Sequence, residues 1–186
     1  MIKAKAAGLL PALLTMALTM ALSARPEEKA GGTYTATSGD GEGPLRIVTT
    51  DGREIRLTKE PGQVSFAQVR ISPDARAVGW VAMFPNCCTS YPIPLKFVVY
   101  SRGQAKIYPG NGLPVWNWRF VRDGEQVAFH QETVHGGIGV HYELREVSSG
   151  RLVEQYDPGQ NNSGAPPEWV KNLTPKALPG DGGTPP

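Results

Sequence analysis

Two cysteines and three histidines are all the thiol and imidazole that 186 residues contain. None stands at a short metal spacing such as His-x-His or Cys-x-x-Cys, so no metal site is expected and no cofactor is implied. Motifs that hold phosphate are missing as well. Gly136-Gly137-Ile138-Gly139 follows one strand-like run and precedes another, which removes the helix N-terminus that an anion would need. No serine-hydrolase elbow stands in the chain either. Charge of one sign is scarce: lysine and arginine number 19 against 17 acidic residues, and losing Lys3 and Lys5 with a leader leaves 17 against 17. That balance excludes a nucleic-acid partner, and binding to an acidic membrane by bulk charge.

Long apolar runs are lacking except at the front. Residues 1–7 carry Lys3 and Lys5 and no acid, and residues 6–22 are uncharged Ala, Leu, Met, Thr, Gly and one Pro. This is the basic and apolar layout of an export signal, with Ala21 and Ser23 as the small residues before a cut at Ala24. Residues 1–23 are read as a signal peptide and the mature protein as periplasmic or secreted. An uncleaved anchor fits less well, because Pro11 interrupts a run at the short limit for a bilayer core of roughly 30 Å. No stable membrane span is expected once the signal is removed.

Glycine and proline are plentiful, with 22 and 17 residues, where an average chain has a combined share of roughly 12%. They work against long helices and point to a turn-rich, all-β chain of one domain. Residues 24–43 offer only Tyr34 as a sizeable apolar group and read as a flexible linker that cannot make core. From Leu45 the pattern changes. Residues 45–50 and 54–58 are β-rich runs joined by Asp51-Gly52, and an Asp-Gly pair in that position is a strong hairpin signal because Gly tolerates positive φ. Further strands are expected at 64–71, 77–84, 96–101, 104–108, 115–121, 126–134, 139–147 and 152–156, so the all-β domain spans residues 44–158. The tail, 159–186, is Pro- and Gly-rich, with a single helical turn near 166–172 that can dock Trp169 on the sheet.

The strands repeat. Val69-Arg70-Ile71-Ser72-Pro73-Asp74-Ala75 and then Val78-Gly79-Trp80 correspond to Trp118-Arg119-Phe120-Val121-Arg122-Asp123-Gly124 and then Val127-Ala128-Phe129. Each half reads strand, Asp turn, strand. Behind them, Val99-Tyr100-Ser101-Arg102-Gly103 corresponds to Glu146-Val147-Ser148-Ser149-Gly150. At these residues the chain resembles the blade repeats of TolB-type β-propellers, over about two and a half units from Leu45 to Tyr156. Ala75 stands where that pattern has Gly, and Val121-Arg122 replaces Ser-Pro. The resemblance implies an interaction scaffold and brings no catalytic residue. It implies two tandem four-stranded antiparallel meander sheets plus the N-terminal hairpin, packed as a partial propeller or sandwich. Too few units are present to close a ring, so the open faces need a cover: each other, the Trp169 segment, or a second copy by self-association.

Few residues carry chemistry. Cys87 and Cys88 lie in Phe84-Pro85-Asn86-Cys87-Cys88-Thr89-Ser90-Tyr91-Pro92-Ile93-Pro94, the long connection of the first unit. Three states are open to the pair: a strained bridge between neighbours, reduced thiols, or a bond to another chain. His130 shares a strand face with Glu132, and His141 with Glu143, which suggests a polar face for each and lets one hairpin bring His130 opposite His141. His135 heads the Gly136-Gly137 turn. Trp80, Trp116, Trp118 and Trp169, with Tyr91, Tyr100, Tyr108 and Tyr142, mostly fill the space between sheets, and Trp116 and Trp118 fall two apart on one strand. Asp51, Asp74 and Asp123 sit at turns, where carboxylates bond the local backbone rather than act as an acid/base pair.

The leading expectation is a non-catalytic, exported β-repeat protein that binds a macromolecule of the cell envelope, protein or glycan. Its candidate binding residues are Asn86, Cys87, Cys88, Thr89, Tyr91, Trp116, His135 and His141. The competing reading is a thiol-dependent enzyme or redox protein built on Cys87 and Cys88.

Overall fold

Short apolar runs punctuated by Gly and Asp turns fold into antiparallel meanders, as their period of two requires. A computed structural model of the chain describes residues 32–38, 43–108, 110–135, 139–159 and 165–173. The signal-peptide reading lies outside them. Three sheets form among the described residues, of three, four and four strands, and none closes into a barrel. The first holds β1 (Tyr34–Ser38), β2 (Leu45–Thr49) and β3 (Glu54–Leu57). The second holds β4 (Ser65–Ile71), β5 (Ala77–Phe84), β6 (Ile93–Ser101) and β7 (Gln104–Tyr108). The third holds β8 (Val115–Val121), β9 (Gln126–Gln131), β10 (His141–Glu146) and β11 (Leu152–Tyr156). In each sheet the strands lie in chain order.

β1 corrects the linker reading of residues 24–43. Its pairing with β2 is made by backbone groups and needs no apolar side chains, and alternation along Tyr34-Thr35-Ala36-Thr37 turns Tyr34 and Ala36 inward. Tyr34 is 6% exposed and meets Tyr100 edge-on, with ring centroids 5.6 Å apart. Three strand limits also move by two residues or more. β6 begins at Ile93, ahead of Lys96, because a bulge opposite Ala82 and Met83 accommodates Pro94. At the far hairpin β9 stops at Gln131 and β10 starts at His141, so that connection is longer than expected.

The sheets stack face on face, with the second in the middle. One core lies between the first and second sheets, where Leu45 and Ile47 meet Phe66, Val78, Trp80 and Tyr100. Another lies between the second and third, around Phe97, Tyr108, Trp118 and Phe129. β5 serves both. Val78 and Trp80 face one core and Ala77 and Val81 the other, which is why its sequence has no polar residue to show to water. Gly79 is required by this packing: a Cβ there would lie 2.4 Å from the ring of Trp118.

Side chains of β4 reach the backbone of β8, although the two do not pair as strands. A bulge in β4 between Ala67 and Arg70, with Gln68 at φ 50°, aims side chains at the free edge of β8. Gln68 Nε2 donates to the Trp116 carbonyl at 2.8 Å, and Arg70 Nη1 donates to the Trp118 carbonyl. Edge carbonyls that would otherwise face water or another chain are thereby filled. Because residues 68 and 70 meet 116 and 118 in the same order, β4 and β8 run in the same direction, and the two sheets carry their connections at common ends. The Tyr34 amide on the Ala75 carbonyl, at 2.7 Å, places the start of β1 at the end that bears the tight turns.

Both outer faces of the stack are finished. The outward side of the first sheet shows Thr35, Thr37, Arg46, Glu54 and Arg56, with Arg56 paired to Glu54 at 2.7 Å. The outward side of the third sheet is apolar at Ala128, Tyr142 and Leu144, and residues 165–173 cross it in successive turns closed by Val170 N–H on the Pro167 carbonyl and Leu173 N–H on the Val170 carbonyl. Val170 and Leu173 are the buried anchors, and Trp169 packs at the margin.

Candidate functional site

Direction and register put all eight candidate residues at one end of the stack. Asn86, Cys87, Cys88, Thr89 and Tyr91 lie in the connection out of β5; Trp116 is the second residue of β8; His135 follows β9; and His141 opens β10. The opposite end carries the tight turns after β2, β4, β6, β8 and β10. Topology therefore sorts the chain into a loop end and a turn end. The candidates nonetheless belong to two sheets: the cysteine connection hangs from the second, and Trp116 and the histidines from the third.

In the cysteine connection Cys87, Cys88 and Tyr91 are exposed, and Asn86 and Thr89 are half-buried. Thr89 Oγ1 donates to the Tyr91 carbonyl at 2.6 Å, which ties the descending limb into a small turn. Both cysteines are free, with sulfurs 2.7 Å apart. The hydrogen bond with Cys87, and then the charge of Cys87, push the Cys88 thiol above its ordinary value. A neighbour of this kind works against a thiolate at Cys88.

Trp116 and Trp118 do not share a face. A bulge between Val115 and Asn117 leaves Trp116 without a strand partner, so Trp118 enters the core while Trp116 stays half-buried. The Trp116 indole N–H donates to the Glu132 carbonyl at 3.1 Å, fixing it beside the segment that leads to exposed His135.

His130 and His141 overturn the polar-face reading. Both are buried, and they are not opposite one another: His130 pairs with Tyr142 and His141 with Gln131, so their side chains leave the sheet on opposite sides. His130 stacks on Tyr142 at 4.8 Å between centroids, and neither of its ring nitrogens is hydrogen-bonded. Glu132 Oε2 stands 3.7 Å from its Nε2. Burial pushes the imidazole down to about 4, so it is neutral at pH 7. His141 is held at both nitrogens, Nδ1 by Asp157 Oδ1 at 2.5 Å and Nε2 by Glu143 Oε1 at 3.1 Å. Glu143 Oε2 in turn accepts from Arg145 Nε, and Arg145 Nη1 donates to the Gly150 carbonyl at 3.0 Å. This is a connected polar chain in which both ring nitrogens of His141 already have a carboxylate partner.

Sequence reasoning missed Asp157 and Gln131. Asp157 falls beside His141 because the register sets Tyr156 against Tyr142, a fact that no local pattern contains. Glu143 and Arg145 had a signal in the alternation His141-x-Glu143-x-Arg145. Gln131 donates through Nε2 to the Leu113 carbonyl at 2.5 Å and accepts the Asn111 amide at 3.1 Å, which pins the crossing from the second sheet to the third. Among the described residues no group of three or more His, Cys, Asp or Glu could hold a metal ion, and no helix is long and apolar enough to cross a membrane.

No family model matches the chain, and no curated protein does. Among solved structures the chain is similar to Kuenenia stuttgartiensis hydrazine synthase, with 17% identity and a TM-score of 0.42 over 66% of this chain. It spans 32% of that chain, about a third of its length. A likeness at this level carries no argument about function.

Proposed function

We propose that the protein is an exported, non-catalytic recognition module that binds a protein or glycan of the cell envelope through its loop end. The carrying observation is the sorting of the eight candidate residues to one end, with Tyr91 and the cysteine pair exposed there. Stiffening by Pro85, Pro92 and Pro94 supports the reading, since a loop that is already ordered loses less entropy on binding. Engagement of both His141 nitrogens and the raised Cys88 thiol favour it over a thiol-dependent enzyme. The repeated meanders support viewing the sheets as blades of the TolB type, and the basic and apolar first 23 residues support export.

A photo-crosslinking side chain at Tyr91 is expected to yield a discrete adduct in envelope preparations, and the same side chain at Arg102, exposed at the turn end, is not. Digestion of the adduct by protease or by glycosidase tells which class of partner is held. Equal labelling from the two positions, or retention of the protein in the cytoplasm, would refute the proposal.

A further inference from the structure

Three features of the cysteine connection belong together. Cys87 and Cys88 are adjacent, both are exposed, and a turn of the backbone brings their sulfurs to the same side, 2.7 Å apart, although successive side chains of an extended chain diverge. A pair of thiols can take a metal or a disulfide as partner. A metal needs further ligands, and no third His, Cys, Asp or Glu joins the pair in a metal-holding group among the described residues.

We propose that Cys87-Cys88 is a thiol–disulfide exchange site whose co-reactant is a low-molecular-weight disulfide. One thiol, as thiolate, attacks a sulfur of the co-reactant, forming a mixed disulfide and releasing one thiolate. The second thiol gives its proton to solvent and attacks the mixed disulfide, closing the Cys87–Cys88 bond and releasing the second thiolate. Two cysteine thiols and one external disulfide become one internal disulfide and two external thiols, so two electrons pass from the protein to the co-reactant. The Cys88 thiol is pushed up by Cys87, first by the hydrogen bond and then by its charge, which suits Cys88 to the second, resolving attack. The product is a small ring closed through a single peptide unit. Such a ring is strained and readily reduced, which makes the modification reversible.

The site does not depend on the recognition reading, and its test reads the cysteines alone. The full mature chain is incubated with oxidised glutathione, quenched with N-ethylmaleimide and weighed intact. The expected product has lost two hydrogens, retains no glutathione and takes up no maleimide, and dithiothreitol restores two maleimide sites. Cys87→Ser and Cys88→Ser each retain one glutathione, because the resolving thiol is gone. Stable glutathione adducts on the unaltered chain, a bond between two chains, or unchanged uptake of two maleimides would overturn the proposal.

Discussion

At His130 an imidazole sits wholly inside the protein with both nitrogens unbonded, and its charge state couples to stability. The folded value is about 4, against 6.5 for the free side chain, so the unfolded chain takes the proton first. Stability from this residue is therefore whole above pH 6.5 and falls away as the pH drops towards 4. A gap of that size is worth about 3 kcal/mol. Urea titrations at pH 7.5 and pH 4 are expected to show the unaltered chain losing about that much more than His130→Phe; equal losses would remove the role assigned to the residue. His141 differs because both nitrogens are engaged. The sequence alone displays its stripe with Glu143 and Arg145 but not Asp157, since a partner supplied by β11 becomes visible only with the register. In the same way the two histidines look equivalent by period, and only the pairing with Tyr142 and Gln131 shows that they leave the sheet on opposite sides.

Among the elements, the four-stranded meanders were legible because turn residues, from Ser72-Pro73-Asp74 to Asp123-Gly124, separate short β-rich runs. What local pattern could not show is the bulge. In β8 it divides Trp116 from Trp118, and in β4 it sends Gln68 and Arg70 to the carbonyls of β8. β1 escaped for another reason: a strand that pairs through its backbone and buries one tyrosine has almost no hydrophobic signature. Gly79 shows how strictly the elements fit, because any side chain there must displace the Trp118 ring. Gly79→Ala is expected to cost about 2 to 3 kcal/mol in chemical denaturation. In a Trp118→Leu background the same change should cost much less, since the ring it strikes is gone. Full additivity of the two substitutions would contradict the packing described.

For the molecule as a whole, stacked sheets stay soluble only when the terminal faces are finished. One face is polar by composition, and the other is covered by residues 165–173. The chain is thus expected to be a monomer in sedimentation experiments, with Leu173→Ala lowering stability by about 3 kcal/mol. Removal of residues 165–186 should expose Tyr142 and Leu144 and drive self-association. A full-length chain that already sediments as a dimer would show that a second copy, rather than the Leu173 segment, is the cover. The proposed recognition surface is the loop end, where the side chains of Tyr91, Cys87 and Cys88 are open.

The most direct test of the proposed division is amide hydrogen exchange on the chain with and without the envelope component crosslinked at Tyr91. Protection is predicted to rise at residues 85–92 and 132–135, with the turns at 50–53, 102–103 and 148–151 unchanged. Protection gained at those turns while the loop end stays as it was would contradict the account.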